Sequence, residues 1–293
     1  MSRTRRDPTG AGWLMLAPFL LLFLCFSVVP MVFGVLESLK GTTKNPKGGF
    51  STYSSVFHDF RFISAIKHTF TYILISVPLM TLVVLALALA FDAYRSSWHK
   101  YVRLAYLLPG CYVGAAGLLV WYIASEPLIG PFRTFLNAIG IHSQSEIFKP
   151  NSLAVIFAFM VVISNAGGWI VVQFGGLQEV SEEVIEAAKI DGCNNLQLAT
   201  KIKLPLIRKN VVYMVVLVIA GSIQLFAEPF ILNSALYRGL SDNWSINQLS
   251  YTLAFQEGDF SSASAISILL LLGSLSAALF LIFKTKFFET GLE

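Results

Sequence analysis

Long apolar runs separated by short polar stretches dominate the chain. Six runs are nearly free of charge: residues 13–36, 69–91, 104–124, 153–174, 211–232 and 264–283. Each holds roughly 20–24 residues, and a helix needs about 20 to cross a hydrocarbon core ~30 Å thick. Membrane strands would instead be about 10 residues long and alternate in polarity. The pattern therefore predicts an all-α integral membrane protein with six transmembrane helices over residues 13–283. A tail over 1–12 precedes the helices, a tail over 284–293 follows them, and the largest polar loop, 176–210, joins helices four and five.

Composition agrees. Only 13% of residues are charged and 55% are hydrophobic, with a mean hydropathy of +0.68. A soluble domain carries about 25% charged residues. The opening MSRTRRDPTG could begin a signal peptide, but the apolar run behind it exceeds the 7–15 residues of such a segment. It reads as a retained first span, with Arg5 and Arg6 as topogenic charges.

Lysine and arginine concentrate on the cytoplasmic side of membrane proteins. With the N-terminus inside, that side holds 13 of them and the outer side 8. Both tails and the 176–210 loop are thereby expected in the cytoplasm. The net charge of +4 reflects this topology, and no basic face of the kind that binds nucleic acid is visible. Cys25, Cys111 and Cys193 form no CxxC pair, and the four histidines are scattered, so no metal site is expected. Phosphate-loop and hydrolase motifs are absent from the sequence. The chain is expected to be no enzyme and to bind no cofactor; any ATP and Mg²⁺ belong to partner subunits.

The polar loop contains EAAKIDGCNNLQLATKIKLP, residues 186–205. Ser181 is placed to cap a helix, with Glu182 and Glu183 complementing its dipole. Gly192 suits the left-handed position that ends it. A second short helix follows through Leu196, Ala199 and Ile202, and Pro205 is expected to close it before the fifth span. Small residues on one flank permit close approach by another protein.

EAAKIDG, nine residues, then IKLP resembles the EAA loop of binding-protein-dependent ABC importer permeases, which reads EAA-x-x-DGA, about nine residues, then I-x-LPLL. Glu186, Ala187, Ala188, Asp191, Gly192, Ile202, Leu204, Pro205 and Leu206 match. Cys193, Ala199, Lys203 and Ile207 depart from it. The resemblance implies that this loop docks on a cytosolic ATPase and transmits its motion. It narrows to the carbohydrate (maltose-type) branch through Gly49, Tyr53, Asp59, Phe62, Ala65 and Thr69, with Thr52 and His68 replacing asparagines. Arg103, Leu108-Pro109 and Trp121 are similar to that branch as well. The implied setting is a bacterial inner membrane. The implied partners are a second permease, two ATPase subunits, an extracytoplasmic solute-binding protein and a sugar.

Polar groups inside a membrane are costly and mark transport paths. Span four offers Ser164, Asn165 and Gln173 beside Gly167-Gly168; span five offers Ser222, Gln224 and Glu228, the only acid within a run. Gly221, Gln224 and Glu228 follow i, i+3, i+7 spacing and are expected on one helix face. Amides and a carboxylate pair with sugar hydroxyls, and Trp169 or Phe226 offers a platform for the C–H face. By resemblance, pocket positions of maltose-type permeases fall on Ser164, Asn165, Gly168, Gly221, Ser222 and Leu225. Gly110-xxx-Gly114 reads as a helix-packing motif. Two alternatives remain: a permease for an amino acid, peptide or oxyanion, or an ion-coupled secondary transporter. The first would call for buried cations if the cargo were anionic, and the second for several intramembrane ionisable groups.

Overall fold

The structure, a computed structural model, describes residues 8–41, 46–93, 99–111, 114–149, 152–235 and 243–285. Arg3, Arg5, Arg6, Lys44, Arg95, Arg238 and Lys286, all used in the charge count, lie outside them. Among the described residues every regular element is helical.

The first run forms α1 (Pro8–Phe23), a π-turn (Leu24–Val28) and α2 (Val29–Ser38), followed by α3 (Phe50–His58). Next come α4 (Phe60–Ala93), α5 (His99–Leu107) with a 3₁₀ turn at Leu108–Cys111, and α6 (Ala115–Ala124). Two short helices, α7 (Arg133–Ala138) and α8 (Gln144–Ile147), lead to α9 (Leu153–Gln178). The loop holds α10 (Glu182–Ile190), α11 (Asn195–Gln197), a π-turn (Leu198–Lys203) and α12 (Leu204–Leu206). Then follow α13 (Arg208–Ile223), α14 (Ala227–Ala235), α15 (Ile246–Tyr251), a π-turn (Thr252–Gln256) and α16 (Phe260–Lys284).

Among the described residues, four helices are long and apolar enough to cross a membrane unaided: Gly12–Ser38, Phe60–Ala93, Leu153–Gln178 and Phe260–Lys284. The 34 residues of α4 extend ~51 Å at 1.5 Å each, well past a ~30 Å core.

The other two runs are broken, which corrects the expectation of unbroken helices over 104–124 and 211–232. In the first, α5 tightens into the 3₁₀ turn containing Pro109, and α6 begins after Gly114 at φ 79°. In the second, Pro229 is responsible. Its ring would strike the Leu225 carbonyl of a continuous helix, so α13 stops at Ile223 and α14 restarts with Pro229 in its first turn. Gly110 and Gly114 form no shared packing motif: a Cβ on Gly110 would lie 3.2 Å from the Ser164 carbonyl, whereas Gly114 faces open space and serves a turn.

Two of the π-turns have one cause. Pro30 and Pro205 each occupy the second position of the helix after the turn. A proline cannot donate to the preceding turn and crowds the carbonyl four residues back. The chain widens there, with Val29 N bonding Leu24 O and Leu204 N bonding Ala199 O, five residues apart.

The chain packs as two units, Met1–Asp59 with Ser250–Leu269 and Phe60–Leu249 with Leu270–Glu293. In the smaller unit, Tyr53 shares a 2.8 Å hydrogen bond with Ser38, and buried Thr52 donates to the Lys40 carbonyl at 3.0 Å. Asp259 caps α16 through both oxygens, accepting from the Ser262 amide at 3.0 Å and hydroxyl at 2.9 Å.

The larger unit is built on α4 against α9. Although α4 is apolar all round, Thr69, Tyr72, Ser76, Met80, Val84, Ala88 and Asp92 form one buried stripe at three- and four-residue spacing. Small residues on the facing helix, Ala158, Ala166 and Gly167 among them, are buried as well. Close backbone approach of this kind holds membrane helices together, because lipid removes the hydrophobic drive between them. A Gly167 Cβ would sit 1.9 Å from the Tyr106 carbonyl oxygen, so α5 rests directly on this glycine.

Candidate functional site

The loop takes the expected form at its first bend. Glu182 and Glu183 fill the first turn of α10 and Lys189 the last, each complementing the dipole. Ser181 occupies the capping position with extended backbone, but its side chain makes no capping hydrogen bond, contrary to expectation. At the far end Gly192 has φ +82°. Its amide bonds the Lys189 carbonyl at 3.1 Å, and the Cys193 amide bonds the Ala188 carbonyl at 3.0 Å. These are the paired bonds of a left-handed glycine cap.

The second helix starts with a device that was missed. Asn194 Oδ1 accepts from the Gln197 amide at 2.8 Å, and Gln197 Oε1 accepts from the Asn194 amide at 2.9 Å. Its signal, a capping residue three before a glutamine, is present in the sequence. Pro205 does not close this helix as expected: the helical path runs on through Leu206, and the chain turns by 71° into α13.

Ala188 is buried, Ala187 exposed, and Asp191 and Gly192 stand open at the bend, while Ile202 and Leu204 are half-buried and Pro205 is exposed. Glu186 lines a cleft of about 430 Å³ with Glu182 and Lys189 on the same helix, Leu198 and Lys203 beyond the bend, and Asp92 on α4. Ile190 and Leu196 flank the bend and are 86% and 73% exposed. Lys203 forms a buried ion pair with Asp92, and Gln178 Nε2 donates to the other Asp92 oxygen at 2.8 Å. Neither Asp92 nor Gln178 was picked out from the sequence.

A second cleft, also about 430 Å³, lies among α4, α9, α13 and α14. Asn165, Gly221, Ser222, Gln224, Leu225 and Glu228 all line it; Ser164 and Gly168 do not. Gly221, Gln224 and Glu228 therefore meet in space, though not on one helix face. Gln224 ends α13 and Glu228 lies in the first turn of α14, across the break made by Pro229. Both expected platforms, Trp169 and Phe226, are in the wall, Trp169 edge-on to Tyr213 and Phe226 stacked on Phe230.

Tyr72 completes the polar part and was missed. It is buried, and the Ser76 and Ser222 hydroxyls beside it lie 3.4 Å apart. Asn165 uses one amide hydrogen on the Val161 carbonyl at 3.1 Å. Gln173 lies elsewhere, buried with its Nε2 on the Asn210 carbonyl at 3.1 Å. The cavity is of a size that holds small molecules. It combines amides, hydroxyls and a carboxylate with two aromatic faces, the mixture that pairs hydroxyls and stacks C–H surface. Among the described residues no cluster of His, Cys, Asp and Glu is placed to hold a metal ion; His68 is stacked on Trp244, ring centroids 5.3 Å apart.

The chain is similar to known transport proteins along nearly its whole length. It is 27% identical over 288 residues to the probable ABC transporter permease protein YurN of Bacillus subtilis, covering 96% of this chain and 97% of that one. It is 25% identical over 286 residues to AraP of Halalkalibacterium halodurans, an arabinooligosaccharides transport system permease protein, covering 95% and 87%. Its fold matches a chain in the crystal structure of a bacterial ABC transporter involved in import of the acidic polysaccharide alginate. That match has a TM-score of 0.80 and 23% identity, and covers 96% of both chains. Residues 45–288 match the family described as binding-protein-dependent transport system inner membrane component, and the chain belongs to that family.

Proposed function

We propose that this chain is the membrane-spanning permease subunit of an ATP-driven importer that carries a carbohydrate or sugar derivative inward. It crosses the membrane six times, the broken runs 104–124 and 211–232 serving as the third and fifth crossings, with both termini in the cytoplasm. A solute-binding protein delivers the sugar from outside. A second permease subunit completes the path, and two ATPase subunits bind ATP and Mg²⁺.

The second cleft carries the reading. Asn165, Ser222, Gln224, Glu228 and Tyr72 gather with Trp169 and Phe226 in a cavity bounded by the membrane-length helices α4 and α9. Such a grouping is costly inside a bilayer unless a polar cargo uses it. The arabinooligosaccharide relative supports a saccharide as that cargo. On the other side, Ile190 and Leu196 present apolar surface at the tip of a charged loop, which supports docking of the 176–210 segment on an ATPase.

Transport then follows from differential binding. ATP and the loaded binding protein favour different arrangements of the helices, and the bundle rocks between them around the cleft. In the native host, deleting the chain should abolish uptake of one labelled saccharide among arabinotriose, maltose and lactose, and an affinity tag on it should retain an ATPase subunit in mild detergent. Loss of amino-acid uptake with saccharide uptake intact would refute the cargo class.

A further inference from the structure

Three helices must respond if the loop is pulled, and the chain ties them to it in different ways. α9 continues covalently into α10 across Glu179–Ser181, and α12 continues into α13 at Ile207. α4 has no covalent connection of this kind. Beside apolar packing, its polar link to the loop among the described residues is the carboxylate of Asp92 in its last turn. One oxygen of that carboxylate takes Lys203 from the end of the loop's π-turn, and the other accepts from Gln178, the last residue of α9. Asp92 and Lys203 are each 8% exposed. Above them Ala88, Leu177 and Ile207 are packed together with Leu89 and Leu204.

A buried ion pair is a poor device for stability. Desolvation of both charges offsets most of their attraction, and apolar replacements are often neutral or better. What this pair does supply is a common attachment point, since one carboxylate accepts from both Lys203 and Gln178. The π-turn contributes to this: the widened turn forced by Pro205 ends at Lys203, and Lys203 is buried there.

We propose that the Lys203–Asp92–Gln178 joint makes α4 move as one body with the loop and with the end of α9. Asp92 and Lys203 are thus positioning residues for coupling. This rests on the reading of the loop as the ATPase-docking element.

The test uses the tagged complex purified from native membranes, in a chain freed of Cys25, Cys111 and Cys193. Spin labels are placed at Thr200 on the loop and at the exposed Leu82 on α4. Pulsed electron resonance reads their separation with and without a non-hydrolysable Mg·ATP analogue. With the joint intact the separation should not change. In the Asp92→Asn/Lys203→Met double variant both charges are gone, so the melting temperature should match that of the parent chain. The nucleotide should nevertheless shift and broaden the Thr200–Leu82 distance.

A single Lys203→Met variant, which leaves Asp92 buried without its cation, should melt lower than the double variant. A double variant that keeps the parental distance under nucleotide would overturn the proposal, and so would a parent whose distance changes. Absence of any ATPase on the parent complex would sink the docking reading itself, and the joint's role with it.

Discussion

Gly192 isolates the contribution of loop shape to docking, because replacing it changes backbone preference and nothing else nearby. Its φ is +82°, and an added Cβ would meet no atom within 4 Å. No clash therefore enters the cost. An L-residue in the left-handed region is disfavoured by ~1–2 kcal/mol, with asparagine the best tolerated, and β-branched residues fare worst. The two capping bonds at 3.1 and 3.0 Å are local, so the helix bundle should not register the change. A penalty of ~1–2 kcal/mol corresponds to about 5- to 30-fold in the population holding the bend.

ATPase retained by the tagged permease should accordingly fall in the order glycine, Asn, Ala, Val, while the melting temperature of the solubilised chain stays constant across the series. Co-purification quantified against the permease band measures it. Equal retention by all four chains would show that the bend does not aim the docking surface. A parallel fall in melting temperature would place the effect in folding.

Gly167→Ala should destabilise the solubilised chain by ~1–3 kcal/mol, since its Cβ would need the Tyr106 backbone to retreat by more than an ångström. Gly168→Ala meets nothing within 4 Å and should leave the melting temperature unchanged or slightly raised, so equal behaviour of the two would refute the close packing. Gln224→Leu and Asn165→Leu should each weaken saccharide uptake roughly 5- to 150-fold by leaving a hydroxyl unpaired. Glu228→Gln should be milder because an amide still accepts; basal ATP hydrolysis should persist in all three, and wild-type uptake in both leucine variants would remove the cleft from the path. Asp259→Ala should cost about 1 kcal/mol through the lost cap, read as a lower melting temperature with unaltered cargo preference.

The long helices and the loop were legible in the sequence because each has a strong local cause. Charge-free runs of membrane length have few alternatives in lipid, and Gly192 sits at the left-handed position that glycine best fills at a helix end. The residues matched to the carbohydrate branch proved to be fasteners in the structure: Gly49 has φ +65°, Tyr53 bonds Ser38, and Phe62, Ala65 and Thr69 are buried. Run length did not reveal breaks inside a run. Residues 211–232 are apolar enough on average to read as one span, yet Pro229 decides at Leu225 where one helix stops and the next begins. Its position contained that information, but the hydropathy of the run masked it.

The two sites were visible to different degrees for a reason of energy. A polar side chain within an apolar run is expensive enough to stand out, so Asn165, Ser222, Gln224 and Glu228 could be named from sequence, and all four line one cleft. Tyr72 escaped because tyrosine is mostly apolar surface and its hydroxyl matters only once Ser76 and Ser222 are known to lie beside it. Asp92 and Lys203 escaped differently. Each sits in a polar stretch, Asp92 one residue beyond the second run and Lys203 within the loop, where a charge carries no penalty in the sequence reading. Only their meeting across 111 positions, with both buried, turns two ordinary charges into a costly pair. Apolar replacement of such a pair is often neutral or stabilising, so stability alone does not account for it; what it holds in place is the end of α4 against Lys203 and Gln178.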